Sequence, residues 1–281
     1  MSIAASIYVD NQRRYKYPIE YVLRNLDFCD AIYLFGSDAE NKEALDEVKG
    51  ASHLRDRIQT IDIGVKVKTP MDISEAQNKC AEFVKGVSSF DYHLSLQADT
   101  ALTNLGVKFV RKFAATGDPD RPVVALKISH VRLHTHAGRT HFGIALIGKG
   151  SDNRKFVGDG AYTEAYWVSS DKDDIWHAID ISYLSIEGFI RKMDVRASVW
   201  KDSVQAGLFW EYKDSPKDFL KAALRDLVYR ERCGKPAEMV SEKDSDYMEV
   251  VKYFKLEEER ALVERTLAEV LKEGPETCLP K

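Results

Sequence analysis

The stretch HLSLQAD at residues 93–99 decides the fold, because it is a short apolar run that ends in a carboxylate. Its length and composition are typical of a buried β-strand. Three earlier β-type runs alternate with helical patterns. The β-type runs are at residues 3–9, 31–35 and 58–63, and the helical patterns are at 18–26, 44–48 and 73–84. Alternating strands and helices predict a mostly parallel sheet with helices on both faces.

The second half of the chain departs from this alternation. Residues 123–130 and 142–147 are β-type runs, and the Gly138-Arg139 pair between them predicts a β-hairpin turn. Beyond Pro216, apolar residues recur at three- and four-residue spacing over 219–229 and 247–271, which predicts a helical C-terminal extension.

Composition excludes several classes of protein. The chain has 281 residues, 44% hydrophobic and 31% charged, with a net charge of −4, so it is a globular protein without an overall attraction for nucleic acid. No apolar run is long enough to span a membrane, and we expect no signal peptide. The four scattered cysteines indicate free thiols and a cytoplasmic location.

Polar residues follow the predicted strands. Asp10, the Gly36-Ser37-Asp38 turn and Asp99 all come where a strand ends, and ligands of parallel sheets bind outside the carboxyl ends of the strands. A carboxylate at that edge suits Mn²⁺ or Mg²⁺, which bind carboxylate oxygens together with diphosphate oxygens. Asp99 is therefore the predicted metal ligand, with a loop cap as the alternative.

The order of several short motifs resembles the GT-A glycosyltransferases, specifically small family-2-like bacterial and viral members. The motifs are Tyr17-Pro18, Cys29-Asp30, Gly36-Ser37-Asp38, Ala76-Gln77-Asn78, Leu96-Gln97-Ala98-Asp99, and a later stretch from Ser182-Tyr183 to Lys192. The resemblance covers residues 3–105 well and 180–215 loosely. In this chain Gln97 stands where the family has the first acid of its usual acidic pair, and a family histidine is absent near residues 205–208.

The resemblance implies an α/β GT-A fold: a mixed, mostly parallel sheet flanked by helices, with a β-hairpin insertion and a helical C-terminal extension. It divides the chain into a nucleotide-sugar-binding half at 1–105, an acceptor-side half of the same domain at 106–215, and the extension at 216–281.

The resemblance also implies a donor site. Asp10 and Asn11 are expected near the base or ribose and Asp38 near the uracil-type edge, while Gln77 and Asn78 are expected near the diphosphate or sugar. Gln97 is a further candidate residue of this donor site. Carboxylates and amides are suitable partners for ribose hydroxyls and base N–H groups. Two alternatives stay open: Asp38 as a helix N-cap, and Asn78 as a buried amide satisfied by backbone.

An inverting transferase needs a general base that deprotonates the acceptor hydroxyl. Asp180 is our first candidate and Glu187 the second, with a surface charge or cap as the alternative for each. His134, His136 and His141 could suggest zinc, but no nearby cysteine or carboxylate completes a ligand set, so we expect exposed imidazoles at a hairpin tip.

The resulting hypothesis is a soluble glycosyltransferase that moves a sugar from a nucleoside-diphosphate donor, expected to be a UDP-sugar, to an acceptor hydroxyl. The acceptor class stays open between a glycan, a small molecule, a protein and a modified nucleic-acid base. The C-terminal helices are a candidate surface for self-association. The alternatives are a non-catalytic nucleotide-sugar or carbohydrate binder and a nucleotidyltransferase.

Overall fold

The computed structural model describes most of the chain, and its described residues are 1–9, 19–87, 90–117, 122–141, 145–157, 161–162, 166–167, 176–195, 197, 212, 214–231 and 238–274. The strands are β1 (Ile3–Val9), β2 (Ala31–Gly36), β3 (Ile58–Asp62), β4 (Tyr92–Gln97), β5 (Thr100–Leu102), β6 (Val123–Ala125), β7 (Ile128–Arg132), β8 (Thr135–His141), β9 (Leu146–Lys149), β10 (Phe156–Val157), β11 (Ala161–Tyr162), β12 (Tyr166–Trp167) and β13 (Ala178–Asp180).

The helices alternate with the first strands and dominate the end of the chain. They are α1 (Ile19–Leu23), α2 (Ala39–Ala51), α3 (Pro70–Val87), α4 (Asn104–Thr116), α5 (Ile186–Val195), α6 (Pro216–Arg225), α7 (Ser245–Tyr253) and α8 (Glu257–Glu273), with a 3₁₀ turn at Arg55–Arg57 and a π-helical turn at Asp226–Glu231.

A seven-stranded sheet forms the centre of the fold, with the strand order β12-β6-β9-β4-β1-β2-β3. Every neighbouring pair is parallel except the two that involve β9, which runs antiparallel to both β4 and β6. The predicted fold class, a mixed and mostly parallel sheet with flanking helices, is confirmed. Two smaller sheets accompany it, with the strand orders β10-β11 and β5-β13-β7-β8.

One row of paired residues runs across the central sheet and shows which residues of different strands lie side by side. Ser6 of β1 pairs with Ser95 of β4, which pairs with Leu146 of β9, which in turn pairs with Ala125 of β6. Because β1, β4 and β6 run in the same direction, residues that follow this row by equal numbers reach the same edge of the sheet.

The chain forms two compact units. The first consists of Met1–Ser129 and Thr140–Ile179, and the second of His130–Arg139 and Asp180–Lys281. In the first unit, the apolar residues of β1 and β2 pack with α3, as in the cluster that includes Tyr33, Phe35 and Val84. In the second, α5, α6 and α8 share a core that includes Phe189, Phe219 and Val263. The division at residues 105 and 215 stays a prediction.

The turn between β7 and β8 differs from the sequence prediction. It lies at Leu133 and His134, which both have positive φ, rather than at Gly138-Arg139. His134 is fully buried, and its Nδ1 is hydrogen-bonded to the Tyr247 hydroxyl at 2.8 Å. The expectation of an exposed imidazole at a hairpin tip is therefore wrong for His134. His136 is half-buried, and the side chain of His141 lies outside the described residues.

The predicted helix over 247–271 is two helices, α7 and α8. The interruption comes at Phe254–Leu256, where Lys255 has a φ of 55°. A left-handed residue cannot continue a right-handed helix, so the chain changes direction there although the apolar spacing continues.

A close backbone approach in the first unit requires glycine at position 106 in α4. A Cβ atom there would lie 1.8 Å from the carbonyl oxygen of His177. The Thr103 backbone N–H donates to that same oxygen at 3.0 Å, and the Thr103 hydroxyl accepts from the Gly106 N–H at 2.9 Å. The start of α4 is thus packed directly on the backbone at residue 177.

We predict that Gly106→Ala lowers the free energy of unfolding by about 1–3 kcal/mol, because the new methyl group must displace backbone. Urea unfolding measures this. Gly50→Ala is the matched control, since a Cβ at Gly50 meets nothing within 4 Å and alanine favours the helix by about 0.5–1 kcal/mol. Equal stability of Gly106→Ala and the wild type would contradict the close approach.

Candidate functional site

The carboxyl ends of β1, β2 and β4 meet at one edge of the central sheet. Val9 pairs with Gly36, and Tyr8 pairs with Gln97, so these strands end at the same level. Asp38 follows β2 by two residues, and Asp99 follows β4 by two residues. We call this side of the first unit the carboxyl edge. Asp10 and Asn11, which follow β1, lie outside the described residues.

Asp38 is the N-cap of α2. Its Oδ1 accepts from the Asn41 backbone N–H at 2.9 Å, and its Oδ2 lies 3.6 Å from Lys66 Nζ. The N-cap alternative is thus what the structure shows for Oδ1. A nucleotide contact through this carboxylate stays a prediction.

Asn41 also contributes to the carboxyl edge, although no sequence motif marks it. Its buried Nδ2 donates to the carbonyl oxygen of Val9, the last residue of β1. Gly36 permits this packing, because a Cβ at Gly36 would lie 3.0 Å from the Lys42 backbone nitrogen. The first turn of α2 therefore fixes the ends of β1 and β2 against each other.

Gln97 and Asp99 end the central strand β4. Gln97 is half-buried, and Asp99 is 8% exposed in the turn that leads into β5. Within the described residues there is no group of three or more His, Cys, Asp or Glu side chains that could hold a metal ion. A carboxylate oxygen suits a hard divalent cation, but the described residues do not complete a metal site around Asp99 by themselves.

Gln77 and Asn78 are adjacent on α3 and have different environments. Gln77 is 6% exposed, and its Oε1 has no hydrogen-bond partner among the described residues. Asn78 donates from Nδ2 to the carbonyl oxygen of Phe156 at 3.0 Å, and its Oδ1 accepts from the Phe156 N–H at 2.7 Å. The alternative of an amide satisfied by backbone is what the structure shows for Asn78, whereas Gln77 keeps an unused acceptor.

The two base candidates belong to the second unit. Asp180 ends β13 and is 7% exposed, and its Oδ1 accepts from the Ser182 N–H at 2.9 Å and the Ser182 hydroxyl at 2.7 Å. Glu187 lies in the first turn of α5, largely exposed, with an ion pair to Arg191 at 2.7 Å. Both carboxylates have local structural partners, and a catalytic role stays a prediction.

A buried polar network in the first unit was not found from sequence. His93 Nε2 is hydrogen-bonded to the Ser6 hydroxyl at 2.7 Å, and Arg154 donates to the Ser95 hydroxyl at 2.7 Å and to the His93 carbonyl oxygen at 2.8 Å. Asp152 holds the guanidinium with contacts of 2.6 and 2.8 Å. Burial, followed by the positive charge of Arg154, holds the pKa of His93 well below its ordinary value, so the imidazole is neutral.

A second polar group surrounds Lys127, which follows β6. The Lys127 backbone N–H donates to His177 Nδ1 at 3.1 Å, and its Nζ lies 4.9 Å from the centre of the Trp176 ring. The Thr103 hydroxyl donates to the Trp176 carbonyl oxygen at 2.7 Å, which fixes that residue against α4. Lys127 was not identified from the sequence, because it lies inside the predicted β-type run at 123–130 and its partner is 50 residues away in sequence.

The fold and the carboxyl edge together define an α/β architecture with a mostly parallel sheet and polar groups at the strand ends. No family model and no curated protein matches the chain. Among solved structures it is similar to S. aureus TarS 1–349, with 12% identity over 94% of this chain and 90% of that chain and a TM-score of 0.43, and to the same protein in complex with UDP, with a TM-score of 0.44. It is also similar to 4-diphosphocytidyl-2C-methyl-D-erythritol synthase, with 12% identity over 53% of this chain and 76% of that chain and a TM-score of 0.39.

Within the described residues, none of the helices is both long enough and apolar enough to cross a membrane.

The contact of His177 with Lys127 predicts a pH dependence of stability. Burial, followed by the charge of Lys127, lowers the pKa of His177 from 6.5 to about 4. Between these values the unfolded chain binds a proton that the folded chain does not, so stability falls as the pH drops from about 6.5 through 4. We predict that His177→Asn, which retains an acceptor near Nδ1 but does not titrate, loses about 1–2 kcal/mol less unfolding free energy between pH 7 and pH 5 than the wild type.

Urea unfolding at the two pH values measures this difference. His53→Asn is the matched control, because His53 is exposed and its replacement should keep the wild-type pH dependence. His93 is present in all three proteins and therefore contributes equally. If His177→Asn and the wild type lose the same free energy of unfolding between the two pH values, the prediction that folded His177 stays neutral is wrong.

Proposed function

We propose that the protein is a glycosyltransferase that takes its sugar from a nucleoside-diphosphate donor, with UDP as the nucleotide. The observation that carries this proposal is the pairing of β1 with both β2 and β4, which brings the positions of Asp38, Gln97 and Asp99 to one edge of a parallel sheet. Ligands of such sheets bind outside the carboxyl ends of the strands.

The chemistry of this edge suits a nucleoside. Carboxylate oxygens accept from ribose hydroxyls and base N–H groups, and amide groups both donate and accept. Gln77 is a further proposed contact of the donor, because its buried Oε1 has no hydrogen-bond partner among the described residues.

Asp99 is the proposed metal ligand, with diphosphate oxygens of the donor expected to supply further ligands. When bound, Mn²⁺ or Mg²⁺ would offset negative charge on the departing diphosphate. The contribution of the chain itself is to hold one carboxylate, with little exposed surface, at the end of a central strand.

The proposed reaction forms one bond and breaks one. The acceptor oxygen bonds to the anomeric carbon, and the bond from that carbon to the diphosphate oxygen breaks with its electron pair going to the diphosphate. The proton of the acceptor hydroxyl passes to a general base, for which Asp180 and Glu187 are the proposed groups. Asp180 Oδ1 already accepts two hydrogen bonds from Ser182, which orient the carboxyl group.

A second candidate function, nucleotide-sugar binding without transfer, is favoured by the same contacts. Asp180 is tied to Ser182 and Glu187 to Arg191, so both carboxylates have structural roles that need no reaction. Turnover separates the two functions, because a binder without a base holds the donor and leaves it intact.

We predict that the protein releases UDP from one or more of a panel of UDP-sugars in the presence of Mn²⁺, with water as the acceptor. Asp99→Asn should lower this release by about 10²–10³-fold, because it removes a charge that acts at the departing group. A coupled assay for UDP and calorimetry of UDP binding provide the two measurements.

Asp56→Asn is the matched control, since Asp56 is a fully solvated carboxylate on the 3₁₀ turn and its loss should leave UDP release unchanged. Binding of UDP without release from any sugar would support the non-catalytic function. Absence of both binding and release would overturn the proposal.

A further inference from the structure

Lys127 occupies an unusual place for a lysine, because it is 5% exposed and lies at the carboxyl edge. Lysine is rarely buried so completely in proteins unless its charge has a partner. Here the ammonium packs over the Trp176 ring, and the backbone of Lys127 is hydrogen-bonded to His177 in both directions: the Lys127 N–H donates to Nδ1, and the His177 N–H donates to the Lys127 carbonyl oxygen at 2.9 Å.

The register of the central sheet gives the level of Lys127. Ser95 and Ala125 lie in one row, each paired with Leu146 of β9. Lys127 follows Ala125 by two residues, as Gln97 follows Ser95, so Lys127 and Gln97 reach the carboxyl edge at the same level. Two strand spacings separate β4 from β6, which is roughly 10 Å.

The order of charges along this edge matches a nucleoside diphosphate. Asp38 follows β2 on one side of Asp99, and Lys127 follows β6 on the other side. Acidic groups suit the hydroxyls and N–H groups of a nucleoside, and a cation suits the phosphates. Asp99 carries the same sign of charge as the diphosphate, so a cation is needed beside it if the donor is to bind.

The surroundings of Lys127 hold its backbone through His177 and its ammonium against the Trp176 ring. The imidazole of His177 in turn packs at a tilt against the Phe109 ring, with centroids 4.4 Å apart. A charge held in place by the fold does not have to be ordered when a ligand binds, which strengthens its interaction with an anion.

We infer that Lys127 is the fixed cation of the donor site, and that it pairs with the diphosphate of the nucleotide so that diphosphate binding does not depend wholly on a metal ion. This inference rests on the proposed function and adds a residue that acts on the phosphates rather than on the nucleoside.

Calorimetry of UDP and uridine with EDTA present tests the inference on the unaltered protein. Without a metal ion, the wild type should bind UDP at least tenfold more tightly than uridine, because charge-assisted hydrogen bonds to phosphate strengthen binding by about that factor or more. If metal-free protein binds UDP no more tightly than uridine, Lys127 does not pair with the diphosphate and the inference is overturned.

Lys127→Met separates a phosphate contact from mere packing on Trp176. In EDTA, the variant should lose about 10- to 100-fold in affinity for UDP and keep its affinity for uridine, whereas damage to the fold would weaken both. Lys127→Arg keeps the charge and should keep most of the preference for UDP. A Lys127→Met protein that keeps the wild-type preference for UDP would show that the lysine only packs.

Lys149→Met is the matched control. Lys149 is an exposed lysine of the same sheet, but it pairs with Tyr92 at the start of β4 and so lies at the opposite edge. Its replacement should leave both affinities unchanged. A wild type that binds neither UDP nor uridine would overturn the proposed function itself, whereas UDP release from a donor by a Lys127→Met protein of unchanged affinity would overturn only the inference about Lys127.

Discussion

The parallel pairing of β1 with β2 on one side and β4 on the other is the constraint on which the rest of the structure depends. Parallel strands bring their carboxyl ends to one edge, and this pairing does so for strands that are far apart in sequence. The polar residues that follow these strands have no sequence proximity to one another. Only the shared direction of the strands makes them parts of one surface.

Several polar side chains at this edge have a structural role. Asp38 caps α2, and Asn41 binds the last carbonyl of β1, so the helix and the strands are joined by groups that also face the edge where a ligand would lie. Polar contacts of this kind hold the edge in one arrangement by contacts within the protein. A ligand bound at this edge would require less ordering of the protein, which would favour affinity.

The sequence predicted the alternating strands of the first hundred residues well and the later strands poorly. β1 agrees with its prediction at both ends because its run is short, contains β-branched residues and is followed at once by a polar cluster, which together favour a buried strand over a helix. The turn at Leu133 and His134 escaped prediction because its positive φ values are held by long-range contacts, such as the hydrogen bond of His134 to Tyr247, 113 residues away. Gly138, a residue typical of turns, lies inside β8 instead.

Long-range contacts also limited the prediction of the candidate site. Residues that follow apolar strands, such as Asp38 and Asp99, could be identified because position in the chain implies position in a parallel sheet. Arg154 and Lys127 could not be identified, because their hydrogen-bond partners lie 59 and 50 residues away in sequence. In addition, both are buried, which is not expected of a charged residue. A local pattern contains no information on such pairs.

The contact of Asn78 with Phe156 has a consequence for self-association. β10 is a two-residue strand paired on one side with β11, and its other side would expose backbone groups able to recruit a strand from another molecule. The amide of Asn78 occupies both the N–H and the carbonyl of Phe156, as a neighbouring strand would. The side chain of Asn78 therefore occupies backbone groups of an edge strand with which a strand of another molecule could otherwise pair.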